Sequence, residues 1–183
     1  GREFAGADTW ATSYTLACAI KKLDKYDIII CGEKTVDGDT GQVGPEIADW
    51  LDIPHVAYVS EIRDVNEKSI TVTAEMEDDR IGIEAPLPVL LTVTKDLNMP
   101  RLPSFQDKMR ARKAEVTKWG AADIADVADP ANLGLKGSPT RLNKVVIPSE
   151  EGRKGEVFRG SPAESAAKVV DVLQGLGVLG GAK

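Results

Sequence analysis

Apolar and polar positions follow two different periods along the first part of the chain. From Asp8 or Thr9 to Leu23 the apolar residues recur near helical spacing with no proline between them, which predicts a capped helix. Residues 26–31, YDIIIC, form a short apolar run typical of a parallel strand covered on both faces, so we expect this strand to lie centrally in its sheet. A glycine-rich turn, a helix from about Gln42 to Leu51 and a strand from His55 to Val59 then complete a βαβ unit.

The next segments predict antiparallel pairing. Two alternating runs, SITVTAEM and DRIGIEA, flank the turn residues 77–79 and indicate a hairpin, and PVLLTVT supplies one more strand. A sheet that holds both a βαβ unit and a hairpin is mixed. We therefore predict an α/β domain with a mixed, Rossmann-like sheet over residues 1–95.

The pattern changes after residue 95. Residues 96–119 are basic and interrupted by prolines, and residues 120–160 show no sustained period. Ser161 to Leu179 returns to helical spacing, with Ser161 as the cap and Glu164 as its capping-box partner. Since a connection this long is uncommon inside a compact domain, we expect residues 120–183 to be an extended arm and helix that cross another subunit.

Composition and charge exclude several functions. The 183 residues, 42% of them hydrophobic, suffice for one domain with an appendage. A formal net charge of -6 disfavours nucleic acid as a partner. Two cysteines favour a reducing, cytoplasmic location, and the absence of an apolar run of roughly 20 residues predicts no membrane span. The single histidine, His55, has no cluster of ligands around it, so no metal site is expected.

The segment from Gly32 to Pro45 is the candidate site. It lies between the carboxyl end of a predicted strand and the start of a helix, where open α/β sheets bind ligands. Glycines at 38, 41 and 44 let a phosphate approach the backbone, and the amides of Gly41 to Val43 together with the helix dipole favour a pyrophosphate. The alternative is a tight turn with Thr40 as an ordinary cap, since the segment is neither a Walker A loop nor a strict Rossmann fingerprint.

A family resemblance favours the first interpretation. The run GEKTVDGDTGQVGPEIADWLDIP, preceded by YDIIIC, closely resembles the β subunit of electron-transfer flavoproteins. The similarity extends from GREFAGADTWATSYTLACAI to RLPSFQDKMRARKAEV and covers about two thirds of the chain. It implies the family's adenine-nucleotide-binding fold, whose first strand would precede Gly1, and an arm that embraces the α subunit.

The resemblance also implies a cofactor. In the family the segment matching Gly32 to Val43 cradles AMP in classical members and the ADP half of a second FAD in electron-bifurcating members. DGDTGQVGP and ADTWATSYTLA resemble the bifurcating members, and the latter places hydroxyls near a flavin, although helix capping is the alternative role for such hydroxyls. The implied cofactor residues are Thr9, Thr12, Ser13, Gly32, Asp37, Gly38, Asp39, Thr40, Gly41, Gln42, Val43 and Gly44.

The function implied by the resemblance is electron transfer. NADH would reduce the β-subunit FAD, which would pass one electron to the α-subunit FAD and the other to ferredoxin or flavodoxin. The α-subunit flavin would then serve an acyl-CoA dehydrogenase, onto which the loop containing Leu102 would dock; a buried loop leucine is the alternative. No residue is expected to act as a general acid or base, because the flavin carries the chemistry.

Two other functions remain open at this point. One is a classical electron-transfer flavoprotein β subunit that holds a structural AMP. The other is an ATP-cleaving enzyme or nucleotide sensor of similar fold, which the missing Walker loop makes remote.

Overall fold

Local sequence signals set the boundaries of the helices and strands. A computed structural model describes residues 1–23, 25–146 and 155–178, and the chain divides into unit 1, residues 1–142, and unit 2, residues 143–183. The helices described are α1 (Thr9–Lys21), α2 (Val43–Leu51), α3 (Phe105–Lys113), α4 (Gly134–Gly137) and α5 (Pro162–Gly175). The strands are β1 (Ile28–Gly32), β2 (His55–Val65), β3 (Ser69–Glu75), β4 (Arg80–Pro86) and β5 (Val89–Val93).

Side-chain caps begin three of these helices. The Asp8 carboxylate caps α1 by accepting a hydrogen bond from a backbone amide three residues further on. Reciprocal capping boxes begin α3, through Ser104 and Asp107, and α5, through Ser161 and Glu164. The predicted caps of α1 and α5 are thereby confirmed. The expected end of α5 at Leu179 lies outside the described residues, and the helix ends at Gly175.

The strands form one mixed sheet in the order β1-β5-β2-β3-β4. β1, β5 and the first part of β2 are parallel, whereas β2, β3 and β4 pair antiparallel. The predicted α/β class, mixed sheet and hairpin are confirmed. β2 runs to Val65, beyond the predicted end at Val59, because it leaves β5 near Val59 and continues along β3.

Within the described residues β1 does not have the predicted central position. In the described sheet β1 pairs only with β5 and forms an edge, and Ile30 is 57% exposed. The strand that is buried on both faces is β5, in which Val89, Leu90 and Leu91 are all inaccessible to solvent. β5 comes later in the chain and inserts between β1 and β2. A short apolar run cannot reveal such an insertion, because its composition suits either position.

Successive side chains of β5 point to opposite faces of the sheet and belong to two different hydrophobic cores. Leu90 packs with residues of α1 and α2 on one face, among them Ala17, Ile47 and Ala48. Val89 and Leu91 belong to the core on the other face, which β2, β3 and β4 complete. These contacts hold α2 against the parallel part of the sheet, and thereby fix the loop that precedes it.

Residues 121–142 fold back onto their own domain. Ile124, Ala128 and Leu133 pack against Tyr14 and Cys18 of α1, and the whole stretch belongs to unit 1. These contacts place residues 121–142 in unit 1, while the predicted contact of residues 120–183 with another subunit stays a prediction. Short turns and isolated apolar residues carry no period that a sequence pattern could show. In unit 2, α5 carries exposed valines at positions 169, 170 and 172.

Candidate functional site

The parallel strands β1 and β5 end on the same side of the sheet, where β2 separates from β5, and the loop between β1 and α2 lies over these strand ends. β1 ends at Gly32, and the next amide, that of Glu33, donates to the carbonyl of Val93 at the end of β5 (3.2 Å). α2 begins at Val43, so residues 33–42 connect the edge strand to the helix. The geometry places this loop at the carboxyl ends of the strands, where α/β sheets bind ligands.

Hydrogen bonds within the loop close it upon itself. The Asp39 amide donates to the Thr35 carbonyl (2.9 Å), and the Gly38 amide donates to the Asp37 carboxylate (2.9 Å). Lys34 Nζ and Asp39 Oδ1 form an ion pair at 2.6 Å. Asp39 and Gly41 adopt left-handed backbone conformations, with φ of 51° and 64°. The loop is thus folded tightly before any ligand is considered.

The start of α2 presents free backbone donors. Gln42 is the N-cap residue and its side chain makes no capping hydrogen bond. Among the described residues no acceptor is found for the amides of Gly41, Gln42 and Val43. Such amides, aligned with the helix dipole, attract an anion.

A cavity of about 220 Å³, called here the first cavity, lies beside these donors. It is lined by Leu16, Cys31, Gly32, Glu33, Lys34, Thr35, Thr40, Gly41, Gln42, Val43, Gly44 and Ile47. Burial raises the pKa of the Cys31 thiol above its ordinary value of 9.0, so this group stays protonated near neutral pH. The first cavity is therefore lined by uncharged backbone and thiol groups as well as by Glu33 and Lys34.

The three glycines of the loop have different roles. A Cβ on buried Gly44 would lie 2.5 Å from Thr92 Cγ2, so this glycine allows α2 to approach β5. Gly41 has room for a Cβ, but its left-handed φ of 64° strains any L side chain. Gly38 lies on the exposed part of the loop and does not line the first cavity. Only Gly41 fits the predicted role of admitting a phosphate to the backbone.

The charged groups of the loop are held by specific partners. Hydrogen bonds from the Thr35 hydroxyl and then from the amides of Asp37 and Gly38 lower the pKa of the Asp37 carboxylate. The hydrogen bond to Asp39, together with its charge, raises the pKa of the Lys34 ammonium. Asp37 lies outside the first cavity, and the negative charge of Asp39 is paired with Lys34. Neither acid therefore lines the first cavity beside the free amides.

A second cavity of about 450 Å³ adjoins the first at the start of α1. Thr40 and Gln42 line both cavities, and the remaining lining residues of the second are Asp8, Thr9, Trp10, Glu46, Pro139 and Thr140. The Thr9 hydroxyl lies within hydrogen-bond distance of Gln42 Oε1 (3.1 Å) and Glu46 Oε1 (3.3 Å). Thr9 therefore connects α1 to the N-terminal end of α2.

Asp8, which lines the second cavity, forms hydrogen bonds with residues near the end of unit 1. Its carboxylate accepts hydrogen bonds from the Thr140 amide (2.9 Å) and hydroxyl (2.7 Å), and its amide donates to Ser138 Oγ (2.9 Å). Burial acts to raise the pKa of Asp8, but the hydrogen bonds from Ala11 and Thr140 outweigh it and hold the pKa below 3.8. We call this arrangement of Asp8, Ser138 and Thr140 the Asp8 clamp.

The structure brings together part of the predicted site. Thr9 lines the second cavity, and Gly32 and residues 40–44 line the first. Thr12 lines neither cavity, and Ser13 is fully buried with its hydroxyl donated to the Trp10 carbonyl (2.8 Å). Ser13 therefore packs and hydrogen-bonds within α1, whereas a role for Thr12 at the cofactor stays a prediction.

Sequence reasoning missed several lining residues. Leu16 was missed because helical spacing assigned it no role. Thr140 was missed because no local sequence pattern links it to Asp8. Trp10, which is 37% exposed, packs against Trp50 with ring centroids 4.5 Å apart. Across residues 1–23, 25–146 and 155–178 no group of acids, histidines and cysteines is arranged to hold a metal ion.

A separate exposed segment precedes α3. Leu102 is 94% exposed, and the neighbouring Met99 and Phe105 are exposed as well. The alternative of a buried loop leucine is therefore excluded. The basic residues of α3, at positions 108, 110, 112 and 113, are exposed to solvent. None of the described helices is long and apolar enough to cross a membrane.

Comparison with known proteins assigns the family. The electron transfer flavoprotein domain matches residues 1–124. The electron transfer flavoprotein β subunit of Clostridium acetobutylicum is 48% identical over 173 residues, covering 94% of this chain and 65% of that protein. That of Megasphaera elsdenii is 45% identical, with 93% and 63% covered. The caffeyl-CoA reductase-Etf complex subunit CarD of Acetobacterium woodii is 42% identical, with 91% and 62% covered.

The similarity covers most of this chain but only part of each relative. The chain spans slightly less than two thirds of the length of these relatives. The matched part includes the whole of the loop over the carboxyl ends of the strands. The chain therefore belongs to the electron transfer flavoprotein family, among its β subunits.

Proposed function

We propose that the loop before α2 binds the phosphate-bearing part of an adenine nucleotide. The observation that carries this proposal is the set of free amides at Gly41, Gln42 and Val43, which begin a helix at the carboxyl edge of parallel strands. This donor set fits a phosphate or diphosphate, since the helix dipole adds to the hydrogen bonds. The left-handed φ of Gly41 favours glycine, and a glycine has no side chain to obstruct the approaching oxygen atoms.

We further propose that the nucleotide is FAD rather than AMP. The first cavity opens beside a larger one, and Thr40 and Gln42 belong to both linings. A ligand longer than a mononucleotide can therefore continue from the amides of α2 toward Thr9 and Trp10. The hydroxyl of Thr9 and the carboxylate of Glu46 suit the polyol portion of such a ligand.

In this proposal the protein serves as the β subunit of an electron-transfer complex. When bound, the flavin supplies the hydride and one-electron chemistry between NADH, the α-subunit FAD, and ferredoxin or flavodoxin. The residues of this chain bind the cofactor through the amides of α2 and orient it between α1 and α2. The named role of the Acetobacterium relative in a caffeyl-CoA reductase complex supports an acyl-CoA-directed flavoprotein, such as an acyl-CoA dehydrogenase, as a partner.

Two exposed surfaces belong to the same proposal. The apolar side chains of α5 are assigned to contact with the α subunit, because valines 169, 170 and 172 need a covering surface. Leu102 is assigned to docking onto the partner dehydrogenase, where an exposed apolar side chain can anchor an interface. The low cysteine content supports a cytoplasmic location.

Identification of the bound nucleotide tests the proposal. The full-length protein, purified together with its α subunit, is denatured and the released nucleotides are separated by chromatography. We expect FAD in excess of the amount that the α subunit alone accounts for, and no stoichiometric AMP. AMP together with a single FAD would instead identify a classical β subunit. Release of neither nucleotide from the β subunit would contradict the assignment of the site.

A further inference from the structure

Tyr58 adopts a backbone conformation that is unusual for an aromatic residue. Its φ is 56°, in the left-handed region, and the other non-glycine residues with positive φ in the described ranges are Asp39 and Asp52. Aspartate tolerates this region, whereas a bulky aromatic there is strained. The strain occurs where the pairing of β2 with β5 shifts register between Val56 and Val59. Tyr58 is thus the strained residue of a β-bulge.

Buried groups hold this bulge in place. The Tyr58 amide donates to Thr92 Oγ1 (3.2 Å), and Thr92 is only 2% exposed. The next residue, Val59, is fully buried and its carbonyl accepts from the Thr94 amide (3.0 Å). The surrounding structure therefore determines the conformation of Tyr58, as persistent backbone strain requires.

Burial of the Tyr58 side chain does not explain the bulge. The residue remains 45% exposed, so its ring contributes little to the core that Val59 joins. Its phenol oxygen instead lies 3.9 Å from the position that a Cβ on Gly41 would occupy. The carbonyl oxygen of Glu33 lies 3.5 Å from the same position. These two groups flank the side of Gly41 on which no side chain stands.

We infer that Tyr58 is a positioning residue for the nucleotide site, acting through Gly41. This inference rests on the proposed function of the loop. Glycine is the residue with the widest choice of backbone conformations, so a turn at Gly41 needs outside support to stay in one of them. The bulge directs the phenol against Gly41 and limits this freedom. The amides of Gly41, Gln42 and Val43 are then held together for one phosphate group.

The test compares a ligand that has phosphates with one that lacks them. ADP and adenosine are titrated calorimetrically into the full-length protein purified with its α subunit and stripped of nucleotide. Tyr58→Asn keeps a residue that tolerates the left-handed region but removes the phenol. We expect about tenfold weaker binding of ADP, as for a loss of pre-organisation, and unchanged binding of adenosine. Tyr58→Phe, which removes only the phenol oxygen, should also weaken ADP binding, but by a smaller factor.

Two further variants separate the possible failures. Asp52→Asn alters the other end of α2 at the same left-handed geometry, φ 55°, and should bind both ligands as the wild type does. Equal weakening of ADP and adenosine in the Tyr58 variants would overturn the inference, because Tyr58 would then be merely structural. Wild-type ADP binding in both Tyr58 variants would also overturn it. Gly41→Val reports separately on the site: if it too binds ADP normally, the proposed function fails. If Tyr58→Asn does not fold, Tyr58→Phe decides alone.

Discussion

Replacement of Gly44 by alanine tests how closely α2 must approach the sheet. The added Cβ would lie 2.5 Å from Thr92 Cγ2 and 3.7 Å from both Cys31 Cβ and Leu90 Cδ2. Ordinary contacts of this kind begin near 3.4 Å, so α2 or Thr92 must move by almost 1 Å. Since Thr92 is buried and its hydroxyl accepts the Tyr58 amide, the threonine cannot rotate away freely.

The magnitude follows from two opposing effects. Overpacking of a well-packed core costs about 1–3 kcal/mol. Alanine in place of glycine stabilises a helix interior by about 1 kcal/mol, and by less in the first turn, where Gly44 lies. Packing should therefore dominate, and we expect Gly44→Ala to lower the free energy of unfolding by about 1–2 kcal/mol. The outward shift of α2 should also weaken retention of the nucleotide.

Thr92→Ser provides the matched control. This change removes Cγ2, the atom that the new Cβ would meet, and keeps the hydroxyl that accepts the Tyr58 amide. Urea denaturation of the two single variants and the double variant gives a double-mutant cycle. We expect Thr92→Ser to restore part of the stability that Gly44→Ala removes. A Gly44→Ala protein as stable as the wild type, or a cycle without coupling, would refute the packing argument.

The other predictions concern the nucleotide, the Asp8 clamp and the exposed surfaces. Gly41→Val should abolish retention of nucleotide during purification, because a β-branched residue does not adopt φ of 64° without strain; unchanged flavin content would count against the site. Asp8→Asn keeps a capping side chain but loses the charge-assisted bonds to Thr140, so it should lower stability by about 1 kcal/mol at neutral pH. Because the folded pKa of Asp8 is depressed, this difference should be present above pH 3.8 and vanish as the pH falls through the lower folded value; a difference independent of pH would contradict it. Leu102→Ala should leave flavin content and NADH oxidation unchanged and slow transfer to the dehydrogenase, whereas loss of flavin would assign Leu102 a structural role. Amides of α5, residues 162–175, should exchange quickly in the isolated chain and become protected with the α subunit; strong protection in the chain alone would exclude the intersubunit role.

Features carried by local patterns were predictable from the sequence. The caps Asp8 and Ser161 were recognisable because capping depends on residues three apart. The hairpin of β3 and β4 followed from its alternation, and the loop before α2 followed from its glycines and its place between a strand and a helix.

Features that depend on distant residues were not predictable. β1 was placed centrally because nothing in YDIIIC shows that β5, about sixty residues later, pairs with it on one side only. The bulge at Tyr58 interrupts a regular-looking strand for a reason that lies in Thr92 of the neighbouring strand. The three loop glycines looked equivalent in the sequence, but Gly44 differs from Gly41 because Thr92 approaches it, and Gly41 has a left-handed φ.

The Asp8 clamp has a consequence for the order in which the site forms. Asp8 and Thr140 are separated by 132 residues, so their contact closes nearly the whole of unit 1 into one loop. Closing such a long loop costs chain entropy before the contact itself contributes any stability. Contacts between residues far apart in sequence therefore form slowly. The amides of Gly41 to Val43 lie between β1 and α2, and Tyr58, their proposed support, is far closer to them in sequence than Thr140 is to Asp8. We therefore expect the turn at Gly41 to form early in folding, and the wall of the second cavity that Pro139 and Thr140 supply to close last.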